Sequence, residues 1–191
     1  MKLLQLFRTC LFATLLSCFA SAQGEAPGQI QEFQRKQLQG LARMDGTWRG
    51  PAWILLPTGE RQELTQTERI GPFLSGTVKI IEGRGHDAEG KVVFNALGVI
   101  AYDPEKKKIF IRSYAMGRIG DFPLTITNKG YQWEIQAGPA KIQYTATIQD
   151  GELHEVGDRI IPGQEPIRFF EMKLKRIGDT KWPEDGAVPL K

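Results

Sequence analysis

The chain has 191 residues, with 25 Lys and Arg against 22 Asp and Glu and two cysteines, a length that suits one domain by the usual ~100–200 residues each. Residues 1–22 read as a removable signal segment, with Lys2 and Arg8 at its start, an apolar run over 9–20 and the small-x-small pattern Ala20-Ser21-Ala22 at its end. Without that segment 23 basic residues face 22 acidic ones and no cysteine remains, which excludes disulfides, zinc–thiolate sites and thiol nucleophiles and leaves no basic surplus for nucleic acid.

The apolar run is shorter than the ~20 residues that span a bilayer, and no second run of that length follows. The segment therefore predicts export, to a periplasm or beyond, with no integral membrane piece in the mature chain. Lipid attachment at Cys18, within Leu15-Leu16-Ser17-Cys18, is the rival reading. Residues 23–28 form a polar leader carrying Pro27 and Gly28. Over 29–44, Ile30, Phe33, Leu38, Leu41 and Met44 recur at helical spacing, which predicts one amphipathic helix despite Gly40. Such a helix must lay its stripe on a sheet, because nothing else follows.

From Thr47 onward the pattern is strands and turns. Expected strands are 47–56, 61–70, 77–82, 91–102, 108–116, 122–127, 131–137, 141–148, 152–161 and 167–177. Pro57-Thr58-Gly59-Glu60, Asp103-Pro104 and Pro162-Gly163 are turn signals. Asn128-Lys129-Gly130 and Gln149-Asp150-Gly151 read as hairpin turns. Gly71-Pro72 reads as a break, and 83–90 as a charged loop that holds His86 on the surface. Consecutive short-turned strands without helices imply an antiparallel meander, which hides its edges by closing. The expected fold is all-β: an antiparallel up-and-down barrel of about ten strands with an N-terminal capping helix, over 29–177, followed by a C-terminal coil over 178–191.

A helix followed by Gly46-x-Trp48 at the head of the first strand, and then by a full meander, resembles the calycin superfamily. That superfamily includes lipocalins, fatty-acid-binding proteins and nitrobindin-like haem barrels. Gly46-Thr47-Trp48-Arg49-Gly50, the 98–104 turn approach, 153–157 and 170–176 resemble a family of secreted bacterial lipocalin-like proteins. The resemblance implies that Trp48 plugs one end of the barrel under a basic side chain of the last strand, Arg176 or Lys175, in a cation–π contact. The chain departs from secreted lipocalins in having no disulfides and no clear second helix.

Histidine late in the chain holds the iron in nitrobindin-like barrels, so the resemblance makes His154 a possible haem ligand. Its neighbours Glu152 and Glu155 suit a hydrogen-bonded or solvent-facing histidine equally well. With two histidines far apart, no spacing supports a metal site. Glu155 and Glu171, on the last two strands, would face each other across a hairpin; if internal, one would titrate high and act as an acid, and otherwise each is a rim or network residue. Ser75 and Ser113, the serines beyond the signal, lie in no nucleophile elbow.

Strand alternation puts Tyr131, Trp133 and Ile135 on one face, and Ile142, Tyr144 and Ala146 on another. On 108–116, size favours Phe110, Arg112, Tyr114 and Met116 pointing inward, with Ile109, Ile111, Ser113 and Ala115 outside. A buried Arg112 would need Glu155, Glu171 or an acidic ligand head group as partner. These residues either fill a solid core or line a cavity for a small amphipathic molecule. The functional expectation is a non-enzymatic, exported binding protein. Its ligand contacts would be Arg112, Tyr114, Trp133, Tyr144, His154, Glu155 and Glu171, with no catalytic or metal residue and no cofactor. A haem-binding or enzymatic barrel using His154 with Glu155 or Glu171 is the alternative.

Overall fold

Period-two alternation along ten successive segments produces ten strands, and each tight turn returns the chain beside its predecessor. The computed structural model describes residues 27–186 and 188; the expected signal segment over 1–22, with Cys18, lies outside them. A helix α1 (Pro27–Leu38) runs into a 3-10 helix (Gln39–Met44). The strands are β1 (Gly46–Leu55), β2 (Arg61–Phe73), β3 (Val78–His86), β4 (Val92–Asp103), β5 (Lys108–Ala115), β6 (Arg118–Ile126), β7 (Gly130–Ala137), β8 (Ala140–Gln149), β9 (Glu152–Ile160) and β10 (Ile167–Gly178). Each pairs antiparallel with the next, and β1 pairs with β10, so the barrel closes.

Several boundaries differ from the sequence reading. The helix changes character near Gly40, where a Cβ would stand 2.8 Å from Ile126; the tighter 3-10 turn carries the chain past that contact. β2 does not break at Gly71-Pro72, because its β1 partner ends at Ile70 while β3 continues through Phe73. Pro72 therefore lacks a strand on one side, which is where a residue without N–H fits a sheet. β3 continues through Gly83 and Gly85 to His86, so those glycines belong to a strand rather than to a loop. Gly130 opens β7 instead of making a turn, with Ala146 O only 2.2 Å from where its Cβ would be. Asp150 and Gly151 do take the positive φ of a hairpin turn, 53° and 75°.

The core lies in the half of the barrel nearest the helix. Leu38, Leu41 and Met44 cover that end, above Trp48, Ile70, Ile100, Leu153 and Leu174. Here the side chains meet in the middle and the lumen is solid. In the other half the inward residues Leu64, Phe122, Trp133 and Phe170 are only partly buried. One seam of the wall is also short there. Between β6 and β7 only Leu124–Ile126 pair, with Tyr131–Trp133, whereas β5 and β6 pair from Ile109 to Ala115. The remaining lengths of β6 and β7 diverge toward the open end.

Candidate functional site

The closed end shows what Gly-x-Trp does. Gly46 has φ of +141°, and a Cβ on it would lie 2.7 Å from Arg176 Nη1. Only glycine lets the guanidinium cross there, donating to Asp45 O at 2.6 Å with its carbon 5.6 Å from the Trp48 ring. Trp48 is 1% exposed and donates its indole N–H to Met44 O at 2.8 Å, which ties strand to cap. Lys175 is exposed beside Arg49 and takes no part. Lys79, buried near the same end, is held by Asp45; burial pulls its pKa down against that partner.

In the open half, β7 and β8 bring Trp133 and Tyr144 directly opposite each other. Their rings stack at 4.2 Å and 7°, with Phe122 at 5.6 Å from Trp133 and Phe170 at 6.1 Å from Tyr144. Glu155 of β9 reaches the same space, accepting from Trp133 Nε1 at 3.2 Å and from Tyr131 Oη at 3.3 Å. On β2, Gln66 Nε2 donates to Glu68 Oε1 at 2.8 Å. Gly83 gives Glu68 its room, since a Cβ there would stand 2.7 Å from Glu68 Oε1.

Both carboxyls are inside the barrel, Glu68 at 9% and Glu155 at 7% exposure. Burial disfavours their charge and pushes Glu68 up to about 8, with Glu155 adding repulsion against the Gln66 hydrogen bond. Burial likewise raises Glu155 to about 7 although two donors favour its anion. Burial and the Glu155 carboxylate push Tyr144 up to about 12, and burial with Glu155 and Glu68 pushes Tyr131 well above the usual range. Burial thus favours the protonated form of both carboxyls in this aromatic setting.

The structure divides the expected ligand residues among three places. Trp133, Tyr144 and Glu155 come together in the lumen. Arg112 and Tyr114 do not: they point outward, and the inside-outside assignment of β5 is corrected. Arg112 donates to both oxygens of Asp121, directly across the β5–β6 ladder, at 2.6 Å each. Ile109 and Ile111 face the core instead. Size misled because the inner layer at this height is made of small residues, Gly98, Ser113 and Gly120. They leave space that neighbouring side chains occupy, Phe122 over Gly120 and Ile111 beside Gly98.

His154 and Glu171 form the third group, on the outer wall. His154 Nε2 and Glu171 Oε1 are 2.9 Å apart, Trp53 donates to Glu171 Oε2 at 3.3 Å, and Arg61 lies 3.8 Å over the Trp53 ring. The His154 hydrogen bond, with Lys173 and Trp53, holds the Glu171 carboxyl below its ordinary value. Glu155 and Glu171 thus sit on opposite faces and do not oppose each other; Glu155 pairs in register with Met172. His154 faces away from the lumen, so it does not fit a haem ligand inside the barrel. Among the described residues no three His, Cys, Asp or Glu side chains converge as a metal site.

Sequence reasoning missed Gln66, Glu68 and the role of Tyr131. The available signal was parity on β2: Leu64 and Ile70 bracket Gln66 and Glu68 on one face, opposite Gly83 and Gly85 of β3. Outside the barrel, an open groove of about 620 Å³ runs past Glu82, Arg84, Leu97, Tyr114 and Trp182. Its carboxylate Glu82 is already paired with Arg69 and Arg84, and Arg69 stacks 4.3 Å over Trp182. The lumen, by contrast, keeps its carboxyls without a cation.

No protein-family model matches the chain, and no curated protein sequence matches it. Solved structures do. The chain is similar to Rv2717c from M. tuberculosis at 15% identity and a TM-score of 0.56, over 73% of this chain and 96% of that one. It is also similar to the S-type phycobiliprotein lyase CPES from Guillardia theta at 11% identity and a TM-score of 0.51, over 80% and 99%. At these identities the likeness speaks for architecture alone: the chain shares with these structures its fold, a closed antiparallel barrel of ten strands behind one N-terminal helix.

Proposed function

We propose that this is a non-enzymatic binding protein that holds a small amphipathic molecule in the open half of its lumen. The observation that carries the reading is the Trp133–Tyr144 stack with Glu155 bonded to Trp133, next to the seam where β6 and β7 part and on the same inner wall as Glu68. An apolar body lies against the rings, and the polar group meets the carboxyl cluster, the usual division of labour in a ligand pocket. The solid lower half is the rigid floor. The acidic ligand contemplated from Arg112 loses its support, because that arginine is spent on Asp121 at the surface. Lys2, Arg8, the apolar 9–20 run and Ala20-Ser21-Ala22 support export. A mature form beginning at Gln23, seen by mass spectrometry of the secreted protein, bears on that; retention of residues 1–22 contradicts it.

The direct test is calorimetric titration with decanol. A saturable one-to-one isotherm, weakened at least tenfold in Trp133→Ala, is expected; ten-fold is ~1.4 kcal/mol, the scale of one lost aromatic contact. Absence of binding, or an isotherm that Trp133→Ala leaves unchanged, contradicts the reading.

A further inference from the structure

The hydrogen-bond donors to the two lumen carboxyls are all neutral: Gln66 for Glu68, and Tyr131 with Trp133 for Glu155. Glu68, nine-tenths buried, receives its bond at Oε1 alone. Every fully enclosed side-chain polar atom among the described residues has a partner, so the unbonded Oε2 of this inward-facing carboxyl keeps some accessible surface. Buried carboxylates are ordinarily paired with cations, and here the inner wall supplies none. Of the titratable inward groups, β7 and β8 give Tyr131 and Tyr144, and β9 gives Glu155. Lys79 of β3 is taken by Asp45 at the closed end, Arg176 of β10 lies over Trp48, and Tyr102 of β4 meets Phe33 of the cap. Arg118 and Arg159 share the inner parity of their strands, but both are exposed near the mouth. Glu82, on the far side of β3, adds only more negative charge.

We infer, resting on the lumen reading above, that the ligand is an organic cation: an ammonium or amidinium group on an apolar body, with its charge on Glu68 and Glu155 and its body on the Trp133–Tyr144 stack. The geometry suits such a molecule, because an N–H cation satisfies the open Glu68 oxygen while the aromatic cluster takes the apolar body. Binding then displaces the protons that burial keeps on the carboxyls in the empty protein, so affinity rises with pH.

The test compares decylamine, decanol and decanoate by calorimetry, each below its micelle concentration, between pH 6 and 8.5. Decylamine is expected to bind at least tenfold more tightly than decanol at pH 8, and to tighten across that range while decanol does not. The Glu68→Gln/Glu155→Gln variant should bring decylamine within threefold of decanol; Glu68→Gln alone serves if the double variant does not melt cooperatively. Equal binding of decylamine and decanol overturns the cation inference and leaves the lumen reading standing. Decanoate binding as tightly as decylamine overturns it as well. Failure of all three probes overturns the lumen reading itself. Calcium chloride alone displacing decylamine makes the carboxyl pair a metal site and also contradicts the inference.

Discussion

The two halves of this barrel are built from the same strands and have opposite interiors. Toward the helix, Trp48, Leu41, Met44, Ile70, Ile100, Leu153 and Leu174 are almost completely enclosed. Toward the other end the same strands carry partly exposed rings and two carboxyls without a counter-charge, beside a seam held by three residue pairs. The difference teaches where stability and function reside. A meander needs one packed layer to fix its register, and once that layer exists the strands can extend beyond it and carry groups that destabilise the empty protein.

The largest expected effect breaks the closed half. Trp48→Ala removes the plug, its bond to Met44 O and the platform under Arg176, and should cost ~3–5 kcal/mol in chemical denaturation. A loss below ~1 kcal/mol would show that the lower core is not what fixes the fold.

The open half also makes stability depend on pH. Glu68 is an ordinary carboxyl in the unfolded chain, and burial pushes it up to about 8 in the fold. Between those values the folded protein holds a proton that the unfolded chain has lost, so stability is highest below the unfolded pKa and declines as pH rises through 8. Glu155, raised to about 7, acts in the same direction. Glu68→Gln should flatten the decline and raise stability at pH 9 by ~2–4 kcal/mol, at ~1.4 kcal/mol per pKa unit with an allowance for solvent at Oε2. A wild-type melting temperature that climbs from pH 5 to 9 would contradict the placement of these carboxyls.

How much of this was legible in the sequence follows from the same contrast. All ten strands and the capping helix were, because alternation and turn residues are local signals and each strand repeats them. The lumen was legible where one face is plainly aromatic, as on β7 and β8. It was obscured on β2, where Thr65, Thr67 and Arg69 make the outer face as polar as Gln66 and Glu68 make the inner one. It was inverted on β5, because side-chain size does not say which face is inside when neighbouring strands already fill the space. His154 and Glu155 show how little separates the two outcomes: adjacent residues, one on the outer wall and one in the lumen.

The smallest expected effect lies on that inverted strand. Arg112 and Asp121 are about half exposed, at 49% and 47%, and the pairing holds the Asp121 carboxyl below its ordinary value. Exposed pairs of this kind contribute little, because solvent screens them. Arg112→Leu should therefore leave the denaturation midpoint nearly unchanged, and should leave probe binding unchanged within twofold. A tenfold loss of binding would return Arg112 to the ligand.

Four tryptophans report on four places: Trp48 in the closed end, Trp53 on the outer wall, Trp133 in the lumen and Trp182 in the outer groove. Their indole N–H signals in a two-dimensional NMR spectrum, followed during decylamine addition, test the central claim directly. The Trp133 signal should move in a saturable way while those of Trp48, Trp53 and Trp182 stay in place. A saturable shift at Trp182 or Trp53, with Trp133 unmoved, would place binding outside the barrel and contradict that claim.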